Sequence, residues 1–251
     1  WIGCGACEVC QSGEEQLCRR PRNVGLQAGG GFSDRVVVPH PRYLLPHDGI
    51  PVESACTYAC SGLTAFGALK KAGTLGDGDP LVIIGAGGVG LAGVRLAQSV
   101  TGVAATVVET SPERRSAALE AGADAVLDPA DDSAMSDYVK RMRGAAVVID
   151  FVGAGTTVRQ GFDMLRKGGK LVVVGLFGGD LSLPAPSFPL RNVTITGSYV
   201  GSLQDFRDLL ALVSADGIRS PAVGVHRLDE AEELLRALKE GRITGRAVMR
   251  P

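Results

Sequence analysis

Cys4, Cys7, Cys10 and Cys18 stand in the pattern C-x2-C-x2-C-x7-C near the start of the chain. Four thiolates delivered by one loop can close a tetrahedron around zinc and leave no open position, so the chemistry they offer is structural rather than catalytic. Iron–sulfur motifs share the opening C-x2-C-x2-C, but they place the fourth cysteine three residues on and follow it with proline. Here seven residues intervene and Arg19 follows Cys18, which favours zinc. In a small secreted chain such density would suggest disulfides. A 251-residue chain with a long α/β pattern needs no such staples, and reduced thiolates are the better reading.

A second constellation follows the apolar run Leu81–Ile84: Gly85-Ala-Gly87-Gly88-Val89-Gly90. Alone, a GxGxxG pattern carries little. Between a buried strand and a helix it gains a mechanism. Gly85 permits the tight turn, Gly87 admits a pyrophosphate close to the backbone, and Gly90 lets the helix pack on the sheet. The helix amino terminus then faces the phosphate charge. Glu109 lies 24 residues beyond Gly85, at the tip of the next strand. A carboxylate there accepts both ribose hydroxyls of NAD and repels the 2′-phosphate of NADP. Arg114 and Arg115 lie just downstream and could serve that phosphate instead, but Glu109 comes first, and NAD is the cofactor expected.

These residues need a scaffold, and the apolar pattern supplies one. Strands are expected at Leu81–Ile84, Ala105–Glu109, Ala125–Leu127, Ala146–Asp150, Lys170–Val174 and Val193–Gly197. Helices are expected at Gly88–Val100, Pro112–Ala121, Ser133–Met142 and Thr156–Arg166, the last closed by Gly168-Gly169. Ser111 and Pro112 form a helix start and Gly122 a stop. Runs such as Leu-Val-Ile-Ile are apolar on both faces, as a covered parallel sheet requires. The expectation is an α/β fold with a Rossmann doubly wound parallel sheet. Before it, Phe32–Pro39 reads as a strand, Arg42–Val52 as irregular, and Cys56–Ala72 as helix. After it come a helix at Leu203–Ala215, a strand near Val223–His226, a helix at Asp229–Lys239 and a strand near Ala247–Met249. This tail breaks the alternation and is assigned to a second domain.

Bulk properties exclude several classes. With 45% hydrophobic residues the chain is not disordered, and a net charge of −1 gives no pull toward nucleic acid or anionic membrane. The longest uncharged stretch, Pro80–Val94, is too short and glycine-rich to span a bilayer. No signal peptide opens the chain, and a cytoplasmic location is expected.

Together these motifs resemble the zinc-dependent medium-chain dehydrogenase/reductase family, over the whole chain. The four cysteines match its structural zinc spacing. Gly31-Phe32-Ser33-Asp34 looks like its Gly-Phe-Ala-Glu strand opening. Cys60-Ser-Gly-Leu-Thr64-Ala-Phe66-Gly67 is similar to the segment that delivers a catalytic zinc ligand, 25 residues before Gly85. The resemblance implies a partial GroES-like, β-rich catalytic domain at 1–61, an NAD-binding Rossmann domain at 62–200, and a return to the catalytic domain at 201–251. It implies Cys60 as a catalytic zinc ligand, Thr64 against the nicotinamide and Val89 behind it. Val152, Val174 and Gly175 would line the cofactor cleft, Ser198, Tyr199 and Val200 would meet the carboxamide, and Arg246 would reach the pyrophosphate. His40, His47 and His226 match no ligand position.

The activity implied is hydride transfer between an alcohol, or its aldehyde or ketone, and NAD, in a homo-oligomer of two or four subunits with Val193–Val200 as the edge. The chain opens on Trp1, and the family's earlier zinc ligands, a cysteine and a His-Glu pair, do not appear in it. As given, it is therefore expected to bind structural zinc and NAD without turning over alcohol. Two rivals follow. One is a zinc-independent quinone or enoyl reductase, against which the four-cysteine lobe argues. The other is a non-catalytic NAD-sensing, zinc-stabilised module.

Overall fold

The computed structural model describes residues 1–221 and 223–251. They form two compact units, Trp1–Leu63 with Tyr199–Pro251, and Thr64–Ser198.

The first unit opens with the cysteine lobe, wound around the short helix α1 (Glu8–Gln11) and a 3-10 turn at Glu15–Leu17. Its two ends are tied together: the Ile2 amide donates to Asn23 Oδ1 at 2.8 Å, and the Arg22 amide donates to the Ile2 carbonyl at 2.8 Å. The strand expected at Phe32–Pro39 does not form. Its residues are β-branched enough, but among the described residues no other strand pairs with them, and an unpartnered ribbon leaves its amides and carbonyls to water. Phe32, Val36 and Val37 are accordingly exposed. Farther on, α2 (Val52–Thr57) runs through a π turn at Tyr58–Gly62 into α3 (Leu63–Ala72). The helix expected at Cys56–Ala72 thus starts earlier and is interrupted once.

The second unit is the doubly wound sheet. Its elements are β1 (Leu81–Ile84), α4 (Gly88–Thr101), β2 (Ala105–Val108), α5 (Pro112–Glu120), β3 (Ala125–Leu127), α6 (Asp132–Met142), β4 (Ala145–Asp150), α7 (Gly155–Met164), β5 (Leu165–Val173), α8 (Ser187–Arg191) and β6 (Thr194–Gly197). The six strands are parallel in the order β3-β2-β1-β4-β5-β6. β1, β2 and β4 are buried throughout, as a sheet covered on both faces demands. Val82, Ile84, Val148 and Leu171 pack with Phe162 of α7 in one core cluster. Most boundaries differ from expectation by a single residue, and the largest difference is that α7 stops at Met164 and β5 starts at Leu165, so Gly168-Gly169 lies inside β5 rather than closing the helix. Leu165 is already extended, and a register shift against Ala145 and Val147 accommodates the glycine pair.

The first unit resumes with α9 (Leu203–Asp216), started by a reciprocal Ser202–Asp205 capping box. It continues through β7 (Val223–Arg227), α10 (Ala231–Lys239) and β8 (Arg246–Arg250), with β7 and β8 pairing in parallel. Among the described residues, no helix is long and apolar enough to cross a membrane.

Candidate functional site

The strand order reverses between β1 and its two neighbours β2 and β4, which opens a crevice beyond the carboxyl ends of these strands. The glycine turn sits there. Gly85 takes a left-handed backbone (φ +91°), and a Cβ on it would stand 2.6 Å from Val152 Cγ2. A Cβ on Gly90 would overlap the Gly85 carbonyl oxygen, so the first turn of α4 lies directly on the end of β1. Gly87 is the opposite case: a Cβ there would meet nothing within 4 Å. Gly87, Gly88 and Val89 are only half-buried, and no side chain caps the start of α4. Solid packing on either side and open space in the middle make a cradle for an anionic group, with the positive end of a 14-residue helix facing it.

Glu109 follows β2 and is buried. One carboxylate oxygen accepts from the Ala86 amide of the glycine turn at 2.7 Å. The other accepts from the Ser111 amide at 2.9 Å and the Thr110 hydroxyl at 3.1 Å. The side chain therefore braces the turn, and the oxygen that accepts from Ala86 retains a lone pair for a further donor. Arg115 is directed elsewhere. Its guanidinium donates to the Glu109 and Thr110 carbonyls, both at 2.8 Å, and pairs with Asp128 at 3.0 Å. The Arg114 amide donates to the Ser111 hydroxyl at the start of α5.

Val152, Val174 and Gly175 come to the same edge at the ends of β4 and β5. What holds them was missed from sequence. Asp150, fully buried, accepts from the Val152 and Gly153 amides at 2.8 and 3.0 Å with one oxygen and from the Thr157 hydroxyl at 2.7 Å with the other. Three donors compensate a charge that would otherwise be costly to bury. The readable signal was an aspartate closing an otherwise apolar strand three residues before a glycine.

Elsewhere, the Ser198 amide donates to the Val173 carbonyl at 2.9 Å. In the first unit, Tyr199 stacks edge-on to Trp1 at 5.2 Å, and the buried Val200 has φ +49°, a costly conformation for a β-branched residue. Thr64 is half-buried in α3. Cys60 is exposed within the π turn, a distortion common at functional positions. Arg246 is half-buried at the start of β8. Burial pushes the Cys56 thiol up, and the Arg246 charge opposes it. His40 and His47 make local backbone contacts, and His226 lies 3.8 Å from Glu230.

The four lobe cysteines converge. All their sulfurs lie within 4.8 Å of one another, with Cys7–Cys10 at 3.4, Cys7–Cys18 at 3.9 and Cys4–Cys10 at 4.0 Å. A zinc–sulfur tetrahedron with bonds of about 2.3 Å has edges of about 3.8 Å, so the set fits the ion. The Ala6 and Cys7 amides bring the Cys4 thiol down to about 6, while burial pushes Cys10 up to about 12. The Cys4 and Arg20 amides lower Cys18 by donating to its sulfur, each at 3.3 Å. By contrast, among the described residues no group of three or more metal-ligating side chains includes Cys60. One thiolate does not hold zinc, so the described residues do not by themselves make a catalytic centre there.

Residues 88–215 match the family described as zinc-binding dehydrogenase. An NAD-dependent alcohol dehydrogenase of Sulfurisphaera tokodaii is 35% identical over 254 residues, covering 100% of this chain and 73% of that protein. The enzyme of the same description from Saccharolobus solfataricus is 33% identical over the same shares. Among solved structures, the alcohol dehydrogenase of the archaeon Aeropyrum pernix superposes with a TM-score of 0.86 at 32% identity, over 100% of this chain and 74% of that one. An acetophenone reductase from Geotrichum candidum, solved in complex with NAD, gives 0.79 at 27% identity, over 98% and 70%.

Proposed function

Since the chain belongs to the zinc-binding dehydrogenase family and is an NAD-dependent alcohol oxidoreductase, we propose that it holds NAD at the carboxyl edge of its six-stranded sheet and a structural zinc at Cys4, Cys7, Cys10 and Cys18. The observation that carries the reading is the contrast within one turn, where Gly85 and Gly90 are packed solid and Gly87 faces open space.

On this reading residues 62–200 are the nucleotide domain, and 1–61 with 201–251 belong to the catalytic domain. The pyrophosphate lies over Gly87, Gly88 and the amides opening α4, with Arg246 as its counter-charge. Glu109 accepts from a ribose hydroxyl through the lone pair left on the oxygen that braces Ala86. Val152, Val174 and Gly175 bound the nicotinamide ribose, Thr64 and Val89 flank the ring, and Ser198, Tyr199 and Val200 meet the carboxamide. Bound nicotinamide supplies the hydride acceptor or donor for the alcohol and its carbonyl. The part of these residues is to bind and orient it and to exclude water from its reactive face. Cys60 contributes one thiolate toward a catalytic zinc.

Nicotinamide fluorescence titration tests the nucleotide site. NADH is expected to bind and NADPH to bind more weakly, because the Glu109 carboxylate repels a 2′-phosphate. Glu109→Gln keeps an acceptor for Ala86 and removes the charge, so the NADH preference should narrow by about 10-fold, or about 1.4 kcal/mol. Equal affinities of the parent for both nucleotides would refute the assignment. The reading further includes a cytoplasmic homo-oligomer acting on a small alcohol or carbonyl, with β6, an edge strand of the sheet, available for pairing. Light scattering on the eluting protein should give two or four chains, and a monomer would exclude it.

A further inference from the structure

Glu15 is buried in the cysteine lobe, three residues before Cys18, and the nucleotide chemistry makes no use of it. Its carboxylate is met from two directions. From inside the lobe, the Gly3 amide donates to Oε2 at 3.3 Å, one residue before Cys4. From outside, the Tyr43 hydroxyl donates to the same oxygen at 2.5 Å, and the Arg42 guanidinium pairs with Oε1 at 3.0 Å. Arg42 also donates to the Tyr43 hydroxyl at 2.6 Å and stacks over its ring at 4.8 Å. The packing between is tight: a Cβ on Gly3 would stand 2.5 Å from Cys10 Sγ and 3.1 Å from Glu15 Cβ. Glu15 and the ligand Cys10 therefore both pack against Gly3, one residue before Cys4.

The electrostatics of the assembled site asks for such an arrangement. Four thiolates around one zinc ion carry a net charge of −2, and a lone buried carboxylate beside them would add repulsion. Arg42 supplies the opposing charge at Oε1, and the Tyr43 hydroxyl and Gly3 amide occupy the two acceptor positions of Oε2. A buried ion pair completed by hydrogen bonds rigidifies what it touches, and groups outside the ligand sphere commonly govern metal retention.

We propose that Glu15, with Arg42 and Tyr43, positions the Gly3–Cys4 peptide against the zinc site and so sets how slowly the lobe releases its metal. The inference rests on the reading of the four cysteines as a zinc site.

The test is zinc release from the full chain into excess colorimetric chelator, for the parent, Glu15→Gln and Tyr43→Phe. Release should quicken by about 10- to 100-fold in Glu15→Gln and by less in Tyr43→Phe. Cobalt(II) in the lobe reports the ligand set, and its visible absorption should remain that of four thiolates in both variants, with only the off-rate changed. The thermal unfolding of the six-stranded sheet, in the other unit, should match the parent and so control for folding. Should Glu15→Gln fail to fold, Tyr43→Phe, which loses a single hydroxyl, still decides. Parent-like release rates in both variants would overturn the inference while leaving the zinc site intact. A parent chain without zinc would overturn the site itself.

Discussion

Gly90→Ala should reduce NADH affinity by at least about 100-fold, or about 2.7 kcal/mol. The added methyl would overlap the Gly85 carbonyl oxygen and stand 2.9 Å from the Gly85 carbonyl carbon. Both are backbone atoms of the residue that follows β1, and they are held to β2, since the Gly85 amide donates to the Val108 carbonyl at 2.9 Å. No rotamer relieves the clash, so α4 must ride away from the sheet and carry its amino terminus off the pyrophosphate position. Overpacking of this kind costs about 1–3 kcal/mol in stability as well, so thermal unfolding should fall with affinity. Gly87→Ala separates the two effects. Gly87 has φ −70° and open space where a Cβ would lie, so the folded chain should keep or slightly gain stability. Its NADH affinity should still fall, because the methyl occupies the cradle. Calorimetric titration with NADH alongside thermal melts reads both variants. Parent-like NADH affinity in Gly87→Ala would remove the turn from the binding site.

Removing zinc, by chelation or by Cys10→Ser, should unfold residues 1–23 and leave the six-stranded sheet intact. The lobe has few apolar groups of its own: Ile2, Cys10 and Cys18 are its buried hydrophobics. So small a core cannot offset the entropy of ordering its loops, whereas zinc bound by thiolates contributes apparent free energies of about 10–16 kcal/mol in comparable peptides. Hydrogen exchange resolved by residue is the measurement. The Arg22 amide, bonded to the Ile2 carbonyl at 2.8 Å, should lose protection in the metal-free chain. Amides of β1 and β4 should keep theirs. An Arg22 amide still protected after metal removal would mean that the lobe stands without the ion.

Most of the nucleotide fold was legible because its signals are local. Leu81–Ile84 is apolar on every residue, as a strand covered on both faces must be, and the glycine turn follows at once. Serine and proline open α5 where the sequence places them. The lobe was legible for the same reason, since four cysteines within 15 residues can reach one ion whatever the rest of the chain does. Failures fell where a partner distant in sequence decides. Phe32–Pro39 has strand composition but no partner among the described residues. The end of α7 moved because pairing of β5 with β4 draws Leu165 into the sheet.

By itself, then, the sequence determined the strand–glycine–helix turn, the position of Glu109 beside it and the convergence of the four lobe cysteines, because each depends on backbone geometry over a few residues. Tertiary structure alone decided which carboxylates serve as braces. Asp150 reads as a strand-end acid until two turn amides and Thr157 close on it, and nothing in the spacing of Glu15 marks it until Tyr43, 28 residues away, donates to its carboxylate. Burial and hydrogen-bond partners set what a carboxylate does, and they come from folding rather than from spacing.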